Sequence, residues 1–147
     1  MHVSSHGTPV ARHWAQILYL VLASLILLGI LSQGLLIGPS LFTDTTWGQV
    51  AHGVLGTLLL PLTLLLPLAG LLARLSGKMT ILGAALFALT LIEMMSAVFG
   101  RKAPFLAALH PVTAMLMVGL NVFLIMQGWH MMLESGSEMK TQGGPHS

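Results

Sequence analysis

Four long stretches with almost no charged residues constrain this chain more than any other feature. They are residues 14–37, 48–72, 79–99 and 104–133, and the one charged side chain inside them is Glu93. A helix rises about 1.5 Å per residue, so roughly 20 apolar residues cross the ~30 Å hydrocarbon layer of a bilayer. Hydrocarbon offers no water to backbone N–H and C=O groups, and a helix satisfies them internally. The pattern predicts an all-α integral membrane protein, an up-down-up-down four-helix bundle. A signal peptide is the competing reading of the first run. Its apolar region is shorter and ends at a small-residue cleavage site, whereas Gln33-Gly34-Leu35-Leu36 follows here.

Composition agrees. Charged residues are 7% of the chain and apolar residues 55%, with a mean hydropathy of +0.88. A soluble domain carries about 25% charged residues, so too few charges remain to solvate a water-facing surface. The net charge of +2 is small and dispersed, which argues against nucleic acid as a partner. Cysteine is absent, which excludes disulfides, iron–sulfur ligation and covalent c-type haem. Any redox cofactor must be held by other ligands.

In chain order, residues 1–13 read as a flexible polar arm and 134–147 as a disordered, Gly- and Ser-rich tail. Gly38-Pro39-Ser40 is expected to stop the first helix. Pro61 and Pro67 free the carbonyls of Thr57 and Thr63 and should bend the second. Pro111 should kink the fourth, which is too long for an upright span. Arg12, Arg74, Lys78 and Lys140 fall on one side of the bundle, Arg101 and Lys102 on the other. An excess of Lys and Arg marks the cytoplasmic side, so both chain ends are expected there. Trp14 and Trp129 suit one interfacial belt and Trp47 the other.

The bundle gives each buried polar residue a depth. His52 lies roughly 6 Å into the second run and His110 roughly 9 Å into the fourth, both counted from the same end. The first and third runs travel the other way, so their late residues, Gln33 and Glu93, reach that same level. An ionisable side chain inside a span is costly and is a functional candidate by default. Either histidine alone is explained by a ring snorkelling to the headgroups. Two at one level, beside Gln33 and Glu93, favour the two axial positions of a haem iron. Gly48 and Gly56 flank His52, and Thr113 and Ala114 follow His110, leaving room for a flat macrocycle. Met94, Met95, Met115 and Met117 are weaker candidate ligands, and methionine is commonly filler. A second pair, His13 and His130, shares the opposite level. Each adjoins an interfacial Trp, where a solvated histidine is ordinary, so one haem is expected rather than two. His2, His6 and His146 receive no role.

These motifs resemble known ones. Gln49-Val50-Ala51-His52-Gly53 and Leu109-His110-Pro111-Val112-Thr113-Ala114 look like one four-helix half of the haem A synthase family. There a Glu-x-x-His motif and a later His on parallel helices hold a haem. Residues 33–123 are also similar to a family of uncharacterised four-helix bacterial membrane proteins, the DUF6220 type, which pairs a His-Gly segment with Leu-His-Pro. Gln49 stands where the synthase motif has Glu, and the outer-loop cysteine pair of many synthases is missing. What the resemblance implies is haem b held by His52 and His110 in a bacterial inner membrane, without the synthase's oxidation chemistry. The expected role is electron transfer, to or from quinone or a larger membrane redox complex, rather than stand-alone catalysis. The rival expectation is a non-catalytic accessory subunit of a respiratory or photosynthetic complex, without haem or with a chlorophyll-type pigment.

Overall fold

The computed structural model describes residues 9–142, with side chains described over 13–134. Four helices follow one another: α1 Pro9–Phe42, α2 Trp47–Leu72, α3 Gly77–Phe99 and α4 Pro104–Gln142. No strand occurs among the described residues. Each helix holds a stretch long and apolar enough to cross a membrane. The connections, 43–46, 73–76 and 100–103, are too short to do anything but reverse the chain, so neighbours run antiparallel. The start of α1, the end of α4 and the α2–α3 turn therefore lie at one end of the bundle, the terminal end. The α1–α2 and α3–α4 connections lie at the other, the loop end.

Packing runs around a ring. α1 meets α2 and α4, and α3 meets α2 and α4, while the diagonal pairs α1–α3 and α2–α4 stay apart. Tyr19, Ile26, Leu59, Leu66, Leu86 and Leu124 fill the axis between them. Large apolar side chains such as Leu28, Leu35, Leu72, Ile81 and Phe105 point outward instead. A surface so rich in them is suited to hydrocarbon rather than to water.

Two glycines set the closest crossings. A Cβ on Gly48 of α2 would collide with the Leu36 carbonyl and come within 2.8 Å of Ser40 Oγ, both on α1. A Cβ on Gly83 of α3 would stand 3.3 Å from the Pro67 nitrogen of α2. Small residues let helix backbones approach in this way, and in lipid such packing is a main source of association.

The helix ends differ in part from those read in the sequence. α1 continues through Gly38-Pro39-Ser40 to Phe42. Pro39 forfeits one helical bond, and its carbonyl then accepts from both the backbone N–H and the hydroxyl of Thr43, at 2.9 and 2.7 Å. The Ser40 hydroxyl accepts from the Gln49 N–H at 3.2 Å and ties α1 to the first turn of α2. α2 and α4 likewise run on through Pro61, Pro67 and Pro111. Ser76 caps α3, its side chain accepting from the Met79 N–H. α4 extends to Gln142, past the expected end at Leu133. Ser135, Gly136 and Ser137 are poor helix formers, but a helix already nucleated needs only one bond per added residue. At the other terminus residues 9–13 are helical rather than an arm, and Pro9 occupies the first helical position, which suits proline. His2, His6 and His146 lie outside the described residues.

Candidate functional site

The loop end of the bundle holds a cleft of about 580 Å³ walled by all four helices. α2 contributes His52 and Gly56, α4 His110 and Ala114, α1 Gln33, and α3 Glu93. The structure thus brings together six of the residues singled out in the sequence. The seventh, Thr113, is buried one turn beyond His110, and its hydroxyl donates to Glu93 Oε2. The convergence follows from helix geometry. Antiparallel helices joined by tight turns place the starts of α2 and α4 beside the later turns of α1 and α3.

The two imidazoles face one another across the bundle diagonal, with centroids 6.0 Å apart and planes tilted by 57°. Each ring is anchored through Nδ1. His52 Nδ1 lies 3.1 Å from the backbone carbonyl of Gln33. A carbonyl only accepts, so in a neutral His52 ring the proton sits on Nδ1. His110 Nδ1 lies 3.1 Å from Ser96 Oγ and 3.2 Å from Glu93 Oε1. The one Ser96 hydroxyl hydrogen is directed at the Glu93 carbonyl oxygen, 2.7 Å away. Toward His110 that hydroxyl therefore accepts, and Nδ1 of a neutral His110 carries the proton as well. Both rings then present an unshared pair on Nε2, and among the described residues neither Nε2 has a hydrogen-bond partner.

The remaining lining is largely apolar, and several of its positions are glycine or alanine. Gly34 and Gly53 have open space where a side chain would stand, and a Cβ on Gly56 would meet Gln33 Nε2 at 3.1 Å. Gln33 Oε1 is buried and has no hydrogen-bond partner among the described residues. A buried acceptor without a donor is uncommon in a folded protein and marks a place where a bound group is expected. Met94, Met115 and Met117 also line the cleft.

Two contacts were not foreseen. The acceptor for His52 is a backbone carbonyl of α1 rather than the Gln33 amide. Ser96, three residues after Glu93, shares its helix face and stands behind His110. At the terminal end, His130 is exposed and His13 half-buried, and no contact joins them among the described residues. Among those same residues no group of three or more His, Cys, Asp or Glu side chains is arranged to hold a metal ion. Compared with known proteins, the chain matches no family model, no curated protein and no solved structure.

Proposed function

We propose that this chain is an integral membrane protein that holds one b-type haem between α2 and α4, with His52 and His110 as axial ligands, and that it transfers electrons. One observation carries the reading: two histidines anchored through Nδ1, with free Nε2 lone pairs and rings 6.0 Å apart, in a cleft between four helices. Two imidazoles on opposite sides of one metal ion, each bonded at about 2.0–2.1 Å, have centroids on the order of 6 Å apart. A porphyrin supplies four ligands itself, so two from the protein suffice. The donor set fits the group.

Each residue then has a task. His52 and His110 would hold the haem iron. The Gln33 carbonyl, Ser96 and Glu93 fix the ring orientations and tautomers, as partners behind metal-bound histidines do. Gly34, Gly53, Gly56 and Ala114 leave the helix faces open to a flat ring. The Gln33 side chain is free to bond a polar substituent at its edge. When bound, haem b supplies a one-electron couple, and two histidine ligands leave its iron no open position. The apolar outer surface suits a lipid bilayer, and the Lys and Arg distribution supports a cytoplasmic terminal end in a bacterial inner membrane. Quinone or a larger redox complex is the partner class this role implies. The resemblance to one half of haem A synthase agrees with the ligand pair.

The test is optical. Protein purified from haem-replete membranes is expected to give a low-spin b-type reduced-minus-oxidised spectrum, with one haem b per chain by pyridine haemochrome. A colourless protein rejects the proposal and favours the accessory-subunit reading.

A further inference from the structure

The two halves of the bundle are built differently. Ile30, Leu59, Thr90 and Met117, one from each helix, line the deep end of the cleft. Every buried apolar side chain among the described residues lies at that level or on the terminal side of it. On the loop side of it only Gly48, Ser96 and Thr113 are buried. The terminal half thus has an apolar core, and the loop half has the cleft in its place.

The contacts between helices divide in the same way. Near the loop end α1 and α2 are held together at Gly48, at the Ser40–Gln49 bond and at the His52–Gln33 bond. α3 and α4 are held together there as well. A Cβ on Gly100 would stand 3.2 Å from Ala107, and Ser96 and Glu93 both bond His110. The hairpin α1–α2 meets the hairpin α3–α4 in the terminal half. There a Cβ on Gly70 would lie 3.4 Å from Thr80 Oγ1, one on Gly128 2.8 Å from Leu20, and Asn121 Nδ2 donates to the Ala23 carbonyl at 3.2 Å. Across the cleft no hydrogen bond or ion pair joins the two hairpins among the described residues. The groups that face each other there are the two imidazoles, 6.0 Å apart. Each imidazole is anchored by its own hairpin, His52 by α1 and His110 by α3.

We propose that the loop half is a clamp. The hairpins α1–α2 and α3–α4 are two jaws hinged on the terminal core, and the group held in the cleft is what joins them. Packed side chains and interhelical bonds drive helix association in lipid, and the cleft supplies neither between the jaws. Regions with few buried contacts open at lower free energy than the core of the same fold. The jaws therefore part at the loop end when the cleft is empty and close on its occupant. Each keeps its histidine oriented as it moves, because each anchor travels with its ring. The identity of the occupant as haem rests on the function proposed above; the two jaws do not.

Paired spin labels on the full chain in phosphatidylcholine nanodiscs test this by electron–electron distance measurement. Asp44→Cys with Arg101→Cys spans the jaws at the loop end. Leu72→Cys with Leu133→Cys, two exposed positions, spans them at the terminal end. Without haem, the loop-end distance distribution is expected to be about twice as wide as the terminal one. Added iron protoporphyrin IX is expected to narrow the loop-end distribution and shorten its mean, leaving the terminal pair unchanged. Equal widths without haem overturn the clamp. So does a loop-end distribution that stays the same while the absorption spectrum shows haem bound. A protein that takes up no haem rejects the haem reading of the cleft, and the two widths then decide the clamp by themselves.

Discussion

A histidine with its Nδ1 tied down is a different ligand from one that rotates freely. His110 is held by Ser96 Oγ and Glu93 Oε1, and Glu93 in turn accepts from Thr113. Losing such a supporting bond costs metal sites about 10- to 100-fold in affinity. Ser96→Ala is expected to weaken haem retention by that order, measured as haem lost on dilution in detergent. Glu93→Gln still offers His110 an acceptor and Thr113 a partner, and is expected to retain haem, whereas Glu93→Leu loses both contacts and is expected to resemble Ser96→Ala. If Glu93→Leu holds haem as firmly as wild type, Glu93 only fills space. The convergence of His52, His110, Gln33 and Glu93 was legible in the sequence, because rigid helices turn residue counts into depths. Ser96 was not: a lone serine in an apolar helix usually bonds its own backbone, and Ser96 does that too. The Gln33 carbonyl was not legible either, since every residue has one and only the packing selects it.

At the scale of the helices, the site depends on how closely α1 and α2 cross near the loop end. Gly48 lies one turn before His52, hard against the Leu36 carbonyl. Gly48→Val is expected to force the helices apart and to destabilise the bundle by about 1–3 kcal/mol, the usual scale of overpacking. Haem occupancy should fall in step with the melting midpoint, since the His52–Gln33 bond spans the same crossing. A Gly34→Ala variant, with open space around the new methyl, is the matched control for overpacking and should not lower the midpoint, since alanine favours the helix over glycine. The number of helices was legible because uncharged runs of that length have few alternatives. Their ends were less so. Gly38-Pro39-Ser40 reads as a stop, yet α1 runs on to Phe42, where the Ser40 hydroxyl accepts from the Gln49 N–H at the start of α2. That bond exists only once α1 and α2 have packed, so local chemistry could not show it.

The whole molecule is a ring of four apolar helices with a largely apolar cleft at the loop end that carries two histidines. Its orientation is testable with cysteines, since the chain has none of its own. Single cysteines at Asp44 and Arg101 are expected to react with an impermeant reagent added outside intact cells, and one at Ser76 only after permeabilisation. The reverse pattern would put the cleft on the cytoplasmic side. The diagonal placement of α2 and α4 is what brings two histidines from distant segments to opposite walls of one cleft. Whether they share an iron is tested most directly by low-temperature electron paramagnetic resonance of the oxidised, purified protein beside His52→Ala and His110→Ala. Wild type is expected to show a low-spin ferric signal of two imidazole ligands, and each variant to lose it, becoming high-spin or haem-free. A wild-type sample without that signal, or a variant that keeps it unchanged, would contradict the assignment of His52 and His110 as the ligand pair.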